Sequence, residues 1–149
     1  ILEANPNVDV VLGGDAVVLG ALKALRAAGK DRLDQFLGGI DGEPDAIAEI
    51  KKDSSPYKAS IALSSPVFGY AMGQYAADWL RGKSIPQAVD ILPIALTHEN
   101  IASYDADLAA PGPVFDDPAR RGAYLKMYGN ICYDSRDQYV NFPWSSEAN

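Results

Sequence analysis

The sequence predicts an α/β fold, a parallel sheet flanked by helices. Three observations carry this. An apolar, β-branched run near the start, VDVVL at 8–12, has the character of a strand buried on both faces. A tight glycine turn and an amphipathic stretch follow it, and this strand–turn–helix pattern recurs. Successive strand starts lie about 25 residues apart, the spacing of right-handed βαβ units.

The elements follow in order. After the 8–12 strand, Gly13-Gly14 makes the turn and Asp15 is placed as the N-cap of a helix. Val18, Ala21, Leu22, Leu25 and Ala28 share one face of that helix, and Gly29 suits its C-terminal stop. Residues 35–38 form the second strand, ending in Gly39-Ile40-Asp41-Gly42; Pro44 then opens a short helix with Ile47 and Ile50 on its apolar face. Ser54-Ser55-Pro56 breaks that helix. The third strand covers 59–63, and Pro66 begins a longer helix in which Gly69, Met72, Gly73, Ala76 and Leu80 share a face until Gly82. A fourth strand spans 88–94. Beyond Leu96 the composition changes: Tyr104, Tyr124, Tyr128, Tyr133 and Tyr139 join Phe115, Phe142 and Trp144 in an aromatic C-terminal extension, 97–149, expected to pack on the preceding part. Within it, Pro111-Gly112-Pro113 reads as a loop and Asp117-Pro118 as the start of a helix reaching Tyr128.

Composition bounds the function. With 149 residues, 48% hydrophobic and 22% charged, the chain is long enough for a globular core. A formal net charge of -7 repels phosphate backbones, so no nucleic-acid partner is expected. No apolar stretch is long enough to cross a bilayer as a helix. Cys132 stands alone and reads as a small apolar residue rather than a nucleophile. The first residues, Ile1-Leu2-Glu3, lack a Met, a basic segment and an apolar signal core, and the sheet starts mid-fold; a fragment of a longer chain is expected.

In an open parallel sheet, ligands bind beyond the carboxyl ends of the strands. Three such ends are legible: Gly13-Gly14-Asp15, Gly39-Ile40-Asp41-Gly42 and Leu63-Ser64-Ser65. Asp41 is the leading candidate, because a carboxylate there accepts hydrogen bonds from paired hydroxyls; its other reading is an Asx-turn residue supporting Gly42. Asp15 fits the N-cap better than a ligand contact. Gly14 brings backbone within reach of a ligand or simply makes the turn, and Ser64 either donates to a ligand or caps the following helix. Enzyme motifs fail one by one. Gly13, Gly14 and Gly20 do not make a dinucleotide fingerprint, no phosphate loop is present, and Ser64 lacks the glycines of a nucleophile elbow. His98 has no partner nucleophile and reads as a surface loop residue, and the aspartates show no metal-binding spacing.

These residues resemble the periplasmic sugar-binding proteins of ABC transporters, the ribose- and galactose-binding type. The likeness runs through NPNVDVVLGGDAVVLGALKALRAAGK, GGIDGEPDAIAEIKK and ASIALSSPVFGYAMGQYAADWLRGK, covering roughly residues 1–95. It implies a type I periplasmic binding protein fold of two lobes that close on a ligand about a hinge. Residues 1–96 would be part of the ligand-binding α/β lobe with its hinge crossings, with helix 66–81 packing against an absent first lobe. Asp41 matches the family's sugar-binding aspartate; Gly14 stands where a hydroxyl-binding Asn is usual, and the hinge position that is often Asn or Gln falls at Leu63 or Ser64. The implied role is the solute-binding component of an importer. It takes a sugar or polyol without a cofactor, delivers it to a membrane permease, and works as a monomer in the periplasm or anchored outside a Gram-positive membrane. LacI-type repressors share this core, which makes an effector-binding domain the alternative; an α/β enzyme without recognisable motif is the third class.

Overall fold

A computed structural model describes residues 4–128; Cys132, Tyr133, Tyr139, Phe142 and Trp144 lie outside the described residues. The first five elements are β1 (Val10–Leu12), α1 (Asp15–Ala27), β2 (Phe36–Asp41), α2 (Pro44–Ile50) and β3 (Tyr57–Ala62), in the predicted alternation. β1, β2 and β3 are adjacent and parallel, with Val11 opposite Leu37 and Ile40 opposite Ile61. Right-handed crossovers that step in one direction place both connecting helices on the same face. Val18, Leu22 and Leu25 of α1 and Ala46, Ile47 and Ile50 of α2 are accordingly buried with Leu37, Ala62 and Leu96 in one core. α1 ends as its glycine predicts: Gly29 adopts φ +62, and the Lys30 amide donates back to the Leu25 carbonyl at 2.9 Å.

The opposite face of the sheet is apolar and is not covered by the described residues. Val10, Leu12, Phe36, Ile40 and Ile61 point to it, with Leu12 70% and Val10 58% exposed. Parallel sheets are ordinarily covered on both faces, which sets this surface apart.

The chain then runs through α3 (Ser65–Leu80), β4 (Ala88–Ile91), β5 (Ile94–Thr97), α4 (Ile101–Ala109), α5 (Pro111–Asp116), α6 (Pro118–Tyr124) and β6 (Leu125–Tyr128). Here the sequence reading needs correction. The single strand expected at 88–94 is two strands in different sheets. β5 closes the main sheet antiparallel to β3, and β4 pairs antiparallel with β6 in a separate ribbon. Pro93, which has no amide to donate, sits at the break, while the Leu92 amide turns to the Tyr124 carbonyl. The expected loop at 111–113 is the first turn of α5, where prolines cost no hydrogen bond. The helix from Asp117 starts as predicted, its carboxylate accepting from the Ala119 and Arg120 amides, but stops at Tyr124 because Leu125–Tyr128 finds a ladder partner in β4.

α3 departs from its predicted packing too. Val67 and Ala71 are its buried residues, and the ring of Phe115 on α5 meets Tyr70 and Tyr75 at centroid distances of 5.7 and 5.4 Å. Of the face that periodicity selected, Gly69, Gly73, Ala76 and Leu80 are exposed, and Met72 alone is half-buried against the core. Periodicity finds a stripe, but which stripe is covered depends on what lies beside it.

Candidate functional site

The carboxyl ends of β2 and β3 converge on one loop pair, 41–43 and 63–65. Asp41 closes β2 at φ 118 and Ser64 precedes α3 at φ 50; they are the two non-glycine residues with positive φ among the described residues. Such backbone costs on the order of 1–3 kcal/mol per residue and collects at binding sites. Sequence reasoning had selected both. Gly42, at φ 70, completes the turn; a Cβ there would sit 2.6 Å from the Ala62 Cβ, so this crossing of the two loops requires glycine.

The Asp41 side chain is exposed at the mouth of a groove of about 530 Å³ between α2 and α4. Ser65, Pro66, Lys51, Tyr104 and Asp105 also line it, and Lys51 and Asp105 form an ion pair across it. Gly14 adjoins Asp41: a Cβ at position 14 would stand 3.8 Å from Asp41 Oδ2. With no side chain there, one side of the carboxylate stays open to an incoming group. Ser64 is buried beneath the loop. Its hydroxyl lies next to Tyr104, whose pKa burial raises above its ordinary value against the opposing effect of Ser64. The structure thus brings Gly14, Asp41 and Ser64 to one sheet end.

Asp15 is placed differently from its expected cap role. Gly14 is the N-cap, in extended geometry, and Asp15 opens the helix with its side chain turned inward, 0% exposed. Its Oδ1 accepts from the Tyr57 hydroxyl at 2.7 Å and from Ser60 Oγ at 2.9 Å, and its Oδ2 from the Glu43 amide at 2.7 Å. Ser60 Oγ in turn accepts from the Gly42 amide at 3.1 Å. Burial, and then the Asp15 carboxylate, raise the Tyr57 pKa well above its ordinary value, so Tyr57 stays a donor. The network passes under Gly39, where a Cβ would lie 1.7 Å from Asp15 Oδ1.

Sequence reasoning did not single out Tyr57, Ser60, Glu43 or the groove position of Tyr104. Ser60 carried one signal, the single polar side chain in the expected 59–63 strand. Tyr104 was noticed only as part of an aromatic extension, and its approach to Asp41 depends on the antiparallel return of β5, which no periodicity reveals. His98 is an exposed turn residue, 3.5 Å from Asp53. Among the described residues no group of three or more His, Cys, Asp and Glu side chains converges, and no helix is long and apolar enough to cross a membrane. The arrangement can accept and donate hydrogen bonds at a sheet end; it assembles no nucleophile with a base.

No family model matches the chain. It is 32% identical over 90 residues to the ribose import binding protein RbsB of Bacillus subtilis, a stretch covering 60% of this chain and 28% of that protein. An ABC transporter solute binding protein from Mycobacterium smegmatis, solved with bound glycerol, superposes with a TM-score of 0.54 at 28% identity, over 68% of this chain and 35% of that one. A periplasmic solute binding protein of an ABC transporter from Actinobacillus succinogenes, solved with bound D-allose, gives 0.58 at 24% identity, over 69% and 35%. The chain therefore spans about a third of the length of the relatives it matches. The resemblance to periplasmic sugar-binding proteins of ABC transporters holds, and the α/β architecture is that of part of a type I lobe.

Proposed function

We propose that this chain supplies one wall of the ligand cleft of an ABC importer's solute-binding protein, which takes up a sugar or polyol in the periplasm. The observation that carries the reading is Asp41, an exposed carboxylate on strained backbone at a parallel sheet end, in a chain that resembles proteins whose names specify ribose, D-allose or glycerol. A carboxylate so placed accepts from two hydroxyls at once, and Gly14 leaves room for them. Ligand held between this wall and a second lobe favours the closed arrangement, by as much as its affinities for the two forms differ.

The same reading accounts for two surfaces that this chain leaves bare. The open sheet face of Val10, Leu12, Phe36, Ile40 and Ile61 is where further βα units of the lobe pack, and the exposed stripe of α3 faces the other lobe. The permease is the partner on the membrane side.

Calorimetric titration of the complete protein with D-ribose, D-allose and glycerol tests the proposal. Binding of at least one without turnover is expected, and Asp41→Ala should weaken it by about 1–3 kcal/mol. Hydrolysis or modification of a probe, or unchanged affinity in Asp41→Ala, would overturn it.

A further inference from the structure

The Asp15 carboxylate is fully buried, yet two of its three donors, the Glu43 amide and Ser60 Oγ, tie it to the loop that carries Asp41. It takes the Glu43 amide directly at 2.7 Å and the Gly42 amide through Ser60 Oγ, which bonds Asp15 at 2.9 Å and Gly42 at 3.1 Å. Tyr57 Oη supplies the remaining donor at 2.7 Å. These are the two amides that follow Asp41, whose φ of 118 is a conformation an L side chain adopts only when its surroundings impose it. A carboxylate suits the task because its two oxygens accept from several donors at once. The position also excludes alternatives. Gly39 leaves room for nothing but the aspartate oxygen and the tyrosine hydroxyl, which a Cβ would meet at 1.7 and 2.2 Å.

We propose that Asp15, with Tyr57 and Ser60, is a positioning group that holds residues 41–43 in the conformation that binds ligand. The inference rests on the reading of Asp41 as a ligand contact, while its structural half stands independently of that reading. α1 begins at Asp15 and the loop ends at the start of α2, so the network clamps two helix N-termini to one strand end. Loop order is then present before ligand arrives, and its entropic cost is not charged against affinity.

The experiment compares wild type, Asp15→Asn and Ser60→Ala, with Leu22→Ala as a destabilised control whose side chain lies in the core away from the loop. Amide NMR spectra read the loop, and calorimetry with D-ribose, D-allose and glycerol reads binding, both well below the melting temperature of every variant. Asp15→Asn should move the Glu43 amide resonance upfield and speed its hydrogen exchange, and Ser60→Ala should do the same at Gly42. Each should weaken binding of whichever probe the wild type takes by about tenfold, the value of one hydrogen bond to a charged group. Leu22→Ala should lower the melting temperature without moving either amide or the affinity. Unmoved Gly42 and Glu43 resonances in both network variants would overturn the proposal, as would wild-type affinity once those amides have shifted. If wild type binds none of the three probes, the reading of Asp41 fails, and the amide resonances alone decide whether the network holds the loop. Should Asp15→Asn not fold, Ser60→Ala, which leaves the carboxylate in place, carries the test.

Discussion

Replacing Glu49 by Gln removes a charge from a carboxylate that is 8% exposed and held from three sides. Arg26 grips it with both guanidinium nitrogens, at 3.0 Å to Oε1 and 2.8 Å to Oε2. Lys52 Nζ donates to Oε1 and Ser55 Oγ to Oε2, each at 2.7 Å. The Arg26 hydrogen bonds outweigh the opposing effect of burial and hold Glu49 at about 2, against an ordinary 4.5. A tenfold change in proton affinity is worth about 1.4 kcal/mol, so the depression corresponds to about 3 kcal/mol at neutral pH. Arg26 and Lys52 are 39% and 52% exposed, and solvent screening at that side reduces the figure to about 2–3 kcal/mol. The folded pKa lies below the unfolded one, so the stabilisation is complete above pH 4.5 and disappears as pH falls from there toward 2. Urea denaturation of wild type and Glu49→Gln at a series of pH values isolates this group, because every other carboxylate is common to both. The gap should be about 2–3 kcal/mol at pH 7 and about 1 kcal/mol at pH 3. A gap that stays constant between those pH values would refute the reasoning and assign the effect to packing or to neutral hydrogen bonds.

Three further outcomes are expected. Gly39→Ala should cost more than about 3 kcal/mol in denaturant titrations, or prevent folding, since its Cβ meets Asp15 at 1.7 Å and Tyr57 at 2.2 Å; a cost under about 1 kcal/mol would show that the network has room to shift. Asp41→Gly relieves the φ of 118, so thermal unfolding should show no loss and a gain of up to about 1 kcal/mol while binding is lost. A clear loss of stability would instead make the Asp41 side chain a structural support. The open face around Leu12 and Phe36 should make this 149-residue polypeptide bind a hydrophobic dye, and replacing Leu12 and Ile40 by Lys should abolish the signal. Undiminished fluorescence would locate the apolar surface elsewhere.

By itself the sequence determined the elements whose cause is local. VDVVL is apolar and β-branched enough to form a strand, though Val10 and Leu12 stay exposed where burial was expected; Gly29 stops α1 at positive φ, and Pro44 and Asp117-Pro118 start helices because each satisfies a first-turn geometry. Asp41 and Ser64 were legible as site candidates because strand-end position in a parallel sheet is itself a topological signal. Only the tertiary structure decided what depends on a distant partner. Residues 88–94 are apolar enough for one strand, yet β3 and β6 compete for them and Pro93 divides the result. Asp15 has the sequence of a cap, but Tyr57 and Ser60, more than 40 positions away, offer its carboxylate buried donors that outbid the helix amides. The stripe of α3 that periodicity chose is mostly exposed because α5 covers another, and the described residues leave the apolar sheet face open because α1 and α2 pack together on the other side. A residue's type states what it can bond; which bond it makes is settled by the neighbours that folding brings to it.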